Sequence, residues 1–441
     1  MERQQRETGK PVPEKGRKEI TCMDIKETNF RKYLMEQADR HPSVQPQDIV
    51  KMCYQAAYGA EHLLGDLKGA RRYLEEEYAA TKEGDMELYE NISDSVCRIN
   101  LAAWKCTGMP LEWLYRLFVA SACIRNQGDL FGEYLKEAGR AAAEGSLPFG
   151  ITDWERYLEE YGNRPLSCSE RMSVGQTGNV WEGRVAASQG LQGGGAEDAA
   201  AVPGVQNGRE ERIDGKTGKQ NQNEKELTYS PVHHSPWYRE AEKPAYRLVD
   251  RRYTRLFPVL EKASQLSAPG QPCVIAIDGR AASGKSTMAY QLSKILDAAV
   301  IEMDDFFLPP ELRTPERYAQ PGGNVHYERF QEEVLPFISA PECFSYRIFD
   351  CGKMDYNGKC QVGNGRFRIV EGSYSCHPLF GRYASLTVFM DVEPGEQMRR
   401  ISLRNGEAMA EMFRKKWIPL EEKYIENCAV AENADIRFSY F

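Results

Sequence analysis

Residues 273–287 constrain this chain more than any other stretch. An apolar run, Cys273-Val-Ile-Ala-Ile-Asp278, is followed by Gly279-Arg280-Ala281-Ala282-Ser283-Gly284-Lys285-Ser286-Thr287. The second segment satisfies G-x-x-x-x-G-K-[ST] at every required position. Met288, Leu292, Ile295 and Leu296 then recur at helical spacing. Strand, glycine-rich turn and helix in that order fold into a cradle whose backbone N–H groups converge on phosphate oxygens. The helix N-terminus adds partial positive charge. Lys285 is placed to reach the β/γ-phosphates, and the Ser286 hydroxyl to ligate Mg²⁺. The whole cradle, Gly279 to Thr287, is the expected site for ATP.

Around this motif, short β-rich runs alternate with helical patterns. The runs are Cys273–Asp278, Ala299–Met303, Phe344–Phe349, Phe367–Glu371 and Ser385–Val392. The helical patterns are Lys285–Leu296, Tyr327–Ile338, Glu396–Arg404 and Glu407–Ile425. Such alternation predicts an α/β domain, a parallel sheet covered by helices on both faces. No N/T-K-x-D guanine-reading motif and no LSGGQ-like stretch is present, which disfavours a GTPase and an ABC subunit. The chain after the cradle is too short for a recombination or helicase core. A small P-loop kinase fits the remaining length.

Such chemistry needs further groups beyond the cradle. Asp304 and Asp305 follow the Ala299–Met303 run, where ligands of open α/β sheets bind. A carboxylate there can take the proton of a hydroxyl attacking the γ-phosphoryl group, and Asp304 is the expected base. Residues 308–324, rich in proline and glycine, read as a long binding loop. His326 either reaches substrate hydroxyls or makes a local hydrogen bond at a helix start. Glu371 ends an apolar run and is the expected Mg²⁺-associated carboxylate. Arg400 and Arg404 share one helix face and can close over the transferring phosphates.

The remainder of the 441 residues reads differently. Residues 1–23 form a polar, basic tail, and 24–166 carry helical periodicity, so an all-α domain is expected there. Residues 167–228 are rich in Gly, Gln and Asn; they cannot bury enough apolar area to offset their ordering entropy, and a disordered insertion is expected. Its polarity accounts for the low mean hydropathy of −0.59. Tyr246, Val249, Tyr253, Leu256 and Val259 place a helical segment in 229–268 that packs back on the N-terminal domain. The kinase-like domain then fills 269–441. A net charge of −8 argues against a whole-chain nucleic-acid binder. No apolar run approaches the ~20 residues of a membrane helix, and no secretory signal is visible. The twelve cysteines include no CxxC pair, which fits reduced cytoplasmic thiols. Glu61-His62 and His233-His234 can form a metal or phosphate site if their helices converge.

Taken together, residues 269–441 resemble the uridine kinase/phosphoribulokinase family. IAIDGRAASGKST resembles that family's phosphate loop, and MDDFF its D-x-F-Y element, with Asp304 on the catalytic aspartate and Phe307 on the tyrosine. NVHYERF resembles the segment contacting the sugar, and Tyr346 to Asp350 the Y-D stretch on the substrate side. RRISLR resembles the start of the arginine lid; Trp417–Tyr424 and Ala434-Asp435-Ile436 resemble the closing elements. Two departures stand out: His326 replaces an acidic residue, and the lid between Arg404 and Trp417 is short and lacks E-R-G-R. The resemblance implies ATP- and Mg²⁺-dependent phosphorylation of a small, nucleoside-like substrate, at the 5′-hydroxyl of a pyrimidine nucleoside. Asp305, Phe307, His326, Tyr346 and Asp350 are the implied substrate contacts. Two alternatives stay open, a sugar-phosphate or vitamin kinase and an ATP-binding sensor that controls the helical domain. The resemblance does not extend to the N-terminal half.

Overall fold

The computed structural model describes residues 18–22, 30–60, 66–84, 86–122, 128–162, 233–243, 245–266 and 270–440. The expected insertion at 167–228, residue His62 and most of the expected N-terminal tail lie outside the described residues. The N-terminal region holds β1 (Lys18–Cys22), α1 (Phe30–Arg40), α2 (Pro46–Tyr58), α3 (Leu67–Ala80), β2 (Tyr89–Asn91), β3 (Val96–Asn100), α4 (Leu101–Thr107), α5 (Leu111–Ser121), α6 (Gly128–Ala143) and α7 (Ile151–Gly162). Next come α8 (Pro236–Glu242), β4 (Tyr246–Asp250) and α9 (Phe257–Leu266). The C-terminal region holds β5 (Cys273–Gly279), α10 (Lys285–Leu296), β6 (Ala299–Glu302), α11 (Tyr327–Glu333), β7 (Phe344–Asp350), β8 (Asp355–Val362), β9 (Phe367–Glu371), β10 (Leu386–Val392), α12 (Pro394–Asn405), α13 (Glu407–Met412), α14 (Ile418–Cys428) and β11 (Ile436–Tyr440).

Six strands form one parallel sheet in the order β1-β11-β10-β5-β9-β6. Its strands are apolar on both sides because both faces are covered. Cys273, Ile275 and Ile277 of β5 face a core shared with α9 and α10. Val274 and Ala276 face the opposite core, with Phe330 of α11 and Tyr424 and Ile425 of α14. The C-terminal unit is thus the α/β P-loop kinase-type domain expected from the sequence. From β5 the chain passes through α10 to β6 on one side. From β10 it passes through α12–α14 to β11 on the other. The crevice between β5 and β10 is therefore the topological switch point, where ligands of such sheets bind.

Several local expectations change. The Phe344–Phe349 run does not enter the main sheet; it pairs with β8 in an antiparallel hairpin. β8 is almost wholly exposed and polar, so it carries no apolar signature. Lys18–Cys22, expected in the loose tail, lie parallel to β11 at the sheet edge. The N-terminal region is predominantly helical but includes a three-stranded antiparallel sheet, β2-β3-β4. Residues 246–250, expected to be helical, pair with 96–100 in that sheet. Strands of three to five residues are too short to show period 2, and pairing partners distant in sequence decide their state. Arg251–Leu256 is then a 3-10 turn leading into α9.

The helical region has its own core among α1, α2, α6 and α7. Its other helices merge with the parallel sheet: Trp104, Trp113, Leu114 and Leu117 share one core with β5 and α10. The Trp113 ring meets Phe367 edge-on at 5.6 Å, and an Arg116 guanidinium N–H reaches the Ile295 carbonyl at 3.4 Å. Phe367 opens β9 and Ile295 lies near the end of α10, so this docking is at the opposite end of the sheet from the phosphate loop. Nearby, Arg368 is fully buried and donates to the carbonyls of Phe337, Ile338, Ala340, Glu342 and Gly363 at 2.7–3.1 Å. One side chain thereby closes the chain segment between α11 and β7 against β9.

Because this core is continuous, the two regions should unfold together. Trp113→Ala should cost about 3–5 kcal/mol and lower a single calorimetric transition. Two resolved transitions in the wild-type protein would show that the regions are energetically separate.

Candidate active site

The phosphate loop is shaped by two glycines. At Gly279 φ is +135°, and a Cβ would lie 2.0 Å from the Met390 carbonyl oxygen. Only glycine lets β5 and β10 meet this closely. Gly284, at φ +98°, turns the chain into the first residue of α10. Between them Ala282 also sits in the left-handed region, at φ +60°. Ser286 and Thr287 stand exposed in the first turn of α10. The Ser283 hydroxyl is buried in the loop without a hydrogen-bond partner. An orphaned donor inside a cradle of this shape fits a phosphate oxygen. The Lys285 ammonium donates to the carbonyls of Gly279 and Arg280, both at 2.8 Å.

The loop is gripped from behind by α12 and α14. Glu421, buried, accepts the Ala281 N–H at 2.8 and 2.9 Å and the Ser373 hydroxyl at 2.6 Å. Arg280 makes a two-pronged pair with Glu422 at 2.6 and 2.7 Å and also pairs with Asp391. The Gln397 amide donates to the Ala281 carbonyl at 3.2 Å, and Arg400 to the Ala282 carbonyl at 3.1 Å. Thus Arg400 lies on the cradle, whereas Arg404 is exposed and bonded to Asn405. Reading the sequence did not find Glu421 or Gln397. Both are ordinary helix residues until the helix is packed on the loop.

Opposite the loop stand the acids. Strand register sets Glu371 of β9 beside Ile277 of β5 and Glu302 of β6. Burial pushes its carboxyl up to about 7, and the nearby Asp304 adds to this. Lys285 and a hydrogen bond with Ser286 pull the other way. Glu371, Ser286 and Lys285 therefore converge at one place. Mg²⁺ bound to nucleotide takes one or two protein oxygens and completes its shell with phosphate and water. Ser286 and Glu371 fit that demand. Among the described residues no group of three or more His, Cys, Asp or Glu side chains forms a metal cage.

Asp304 and Asp305 lie in a 3-10 turn, Met303–Phe306, just after β6. Asp305 accepts the Tyr346 hydroxyl at 2.9 Å. Burial pushes the Asp305 carboxyl up to about 6; that hydrogen bond opposes the shift and Asp304 reinforces it. Arg329, which the sequence reading missed, is buried behind this turn. Its guanidinium lies 4.3 Å from the Phe306 ring centre and donates to the Asp305 carbonyl. Phe307 pairs with Val325 across the start of the 308–324 loop.

The remaining implied substrate contacts hold the chain itself. His326 caps α11, its ring nitrogen accepting the Arg329 N–H at 3.3 Å. Asp350 closes the β7–β8 turn by accepting the Gly352 N–H at 2.8 Å and the Lys353 N–H at 3.2 Å. In the N-terminal region His234 is buried against Asp48 at 3.2 Å, and burial pulls it down to about 4, so it is a neutral partner in a polar network. Cys53, Cys97, Cys106, Cys273, Cys343, Cys351, Cys360, Cys376 and Cys428 are free, and among the described residues no helix is long and apolar enough to cross a membrane.

No family model and no curated protein matches the sequence. Among solved structures, the chain is similar to a candidate fructose transport system kinase from Silicibacter sp., at 21% identity and a TM-score of 0.35, covering 41% of this chain and 98% of that one. It is also similar to a candidate uridine kinase from Bacillus stearothermophilus, at 18% identity and a TM-score of 0.31, covering 41% of this chain and 99% of that one.

The position of Glu371 has a pH signature. Its carboxyl lies at about 7 in the folded chain, against an ordinary value of 4.5. The folded state therefore holds a proton that the unfolded state releases, and stability is lost as pH rises from about 4.5 towards 7. Glu371→Gln, which stays neutral, should melt at a higher temperature than wild type at pH 8 and at nearly the same temperature at pH 5. Equal melting at both pH values would mean that Glu371 is not held in this way.

Proposed function

We propose that this chain is an ATP- and Mg²⁺-dependent kinase that phosphorylates a hydroxyl of a small molecule. The observation that carries the reading is the convergence of Lys285 and Ser286 with Glu371, next to Asp304 at the neighbouring strand end. A phosphate cradle alone serves many nucleotide hydrolases; a carboxylate on the acceptor side is what a transferase adds.

The loop amides, Lys285 and the first turn of α10 hold the triphosphate and meet the charge that develops as the γ-phosphoryl group leaves. Ser286 and Glu371 would hold Mg²⁺, whose charge would offset that of the phosphates. Asp304 takes the acceptor hydroxyl proton while the acceptor oxygen forms its bond to the γ-phosphorus. The bond from that phosphorus to the β,γ-bridging oxygen breaks, and ADP departs. Arg400, resting on the Ala282 carbonyl, lies at the cradle's rim where α12 can follow the phosphates.

For the acceptor, we propose a pyrimidine nucleoside 5′-hydroxyl as the first substrate to test, on the strength of the MDDFF and NVHYERF segments. Asp305, which pairs with Tyr346 at 2.9 Å, Phe307, His326 and Asp350 remain the acceptor contacts that the resemblance implies.

A coupled ATP-consumption assay over nucleosides, sugars and vitamins tests the proposal directly. Turnover with one acceptor class is expected; nucleotide binding with no turnover across the panel would favour the sensor reading. With the acceptor in hand, Lys285→Ala should raise the barrier by about 2.7–4 kcal/mol. Asp304→Asn should lower kcat about 10²–10⁴-fold with ATP binding near wild type, and Asp305→Asn should be milder. An inactive Asp305→Asn beside an active Asp304→Asn would move the base by one residue.

A further inference from the structure

Helix α2 is buried almost all round, yet it carries Asp48, Lys51 and Gln55 on one stripe. The acceptors around this stripe are already taken. Asp48 accepts from the backbone N–H groups of Ser235 and Gln45, from the Ser235 hydroxyl, and meets His234, at 2.8–3.2 Å. Glu90 accepts from Gln37 at 3.0 Å and Arg40 at 2.9 Å. Gln55 accepts from Arg98 at 2.8 Å.

Donors are left over. Lys51 is 7% exposed, and its ammonium lies 5.6 Å from the centre of the Tyr54 ring. Arg98 is 6% exposed, has no partner at Nε and approaches Glu90 no closer than 4.0 Å. The Tyr33 hydroxyl, beneath Arg98, is buried without a partner. Arg239 stands exposed one turn after Ser235, which bonds to Asp48, and its guanidinium lies 3.4 Å from the His233 ring nitrogen. Burial pulls Lys51 down to about 8, with Arg239 and Arg98 pushing the same way. A buried ammonium with no carboxylate partner, beside two guanidinium groups and an orphaned hydroxyl, is an arrangement that an anion would complete.

We infer that the helical region holds a phosphate group, free or on a small metabolite, between Lys51, Arg98 and Arg239. Lys51, the Arg98 Nε–H and the Tyr33 hydroxyl each match a phosphate oxygen, and the dianion would offset the Lys51 charge, which no carboxylate pairs. The site is separate from the phosphate loop: it lies among α2, β3 and α8, in the core of the helical region rather than in that of the parallel sheet.

The test must silence the phosphate loop first, since inorganic phosphate can enter it too. Full-length Lys285→Ala protein should still gain melting temperature with inorganic phosphate, at fixed ionic strength against chloride, and still show saturable binding by calorimetry. Adding Lys51→Met should weaken that binding at least tenfold. Arg239→Ala, at an exposed position where folding is not at stake, should weaken it several-fold. A phosphomonoester such as ribose 5-phosphate should compete if the natural ligand is a metabolite, and fail if the site takes only the free ion. No phosphate response in the Lys285→Ala protein, or the same response with Arg239→Ala and Lys51→Met added, would overturn the site. None of these readouts depends on kinase turnover.

Discussion

The Asp278 carboxylate is the contact on which the active-site end of the sheet depends. It is fully buried at the end of β5 and accepts the Gly279 N–H at 2.7 Å, the Tyr374 N–H at 3.1 Å, the Cys376 N–H at 2.8 Å and the Tyr424 hydroxyl at 2.8 Å. Those four donors come from the phosphate loop, from the segment after β9 and from α14. One side chain thus fixes the relative position of three pieces of chain. Burial pushes this carboxyl up, while the hydrogen bonds from Cys376, Tyr424 and Gly279 and the charge of Lys285 pull it down. Removing any one donor would leave a lone pair without water or partner, which is why such hubs hold rigidly.

Elsewhere at the same strand ends the carboxyls are only partly compensated. Glu371 and Asp305 are both pushed up by burial, and Asp304 adds to each shift. Contrast Arg368, whose guanidinium is surrounded by carbonyl oxygens. Arg368 spreads its charge over five carbonyls, whereas the carboxyls beside the cradle hold a proton more tightly than free carboxyls do. Perturbed carboxyls gathered in a crevice are a mark of reactive sites.

The helical region meets the domain at the far end of the same framework. α10 begins with Lys285 at the cradle, and its last turn is touched by Arg116 of α5. Twelve residues of helix span about 18 Å. A stiff rod with Lys285 and the phosphate loop at one end and a docked domain at the other ties the loop to the core that holds Trp104 and Trp113. The polar network around Asp48 and Lys51 belongs to the helical core beyond that contact.

How much of this was legible in the sequence depends on how local each determinant is. The cradle was, because its turn needs glycine at fixed positions, and a lysine and a hydroxyl at the next two. The parallel sheet was, because strands covered on both faces are continuously apolar. Glu371 was legible as a strand end, though its meeting with Ser286 comes from the register of β9 against β5. What only the tertiary structure decided are the pairings between residues far apart in the chain. Short strands β2, β3 and β4 show no period of their own and exist because they pair. Glu421, Gln397 and Arg329 are unremarkable until helices are packed on the loop and the 3-10 turn. The helix cap at His326 and the turn closure at Asp350 likewise show only once the chain is folded. Local chemistry sets which residues can do the work; the packing of distant segments sets which of them face one another.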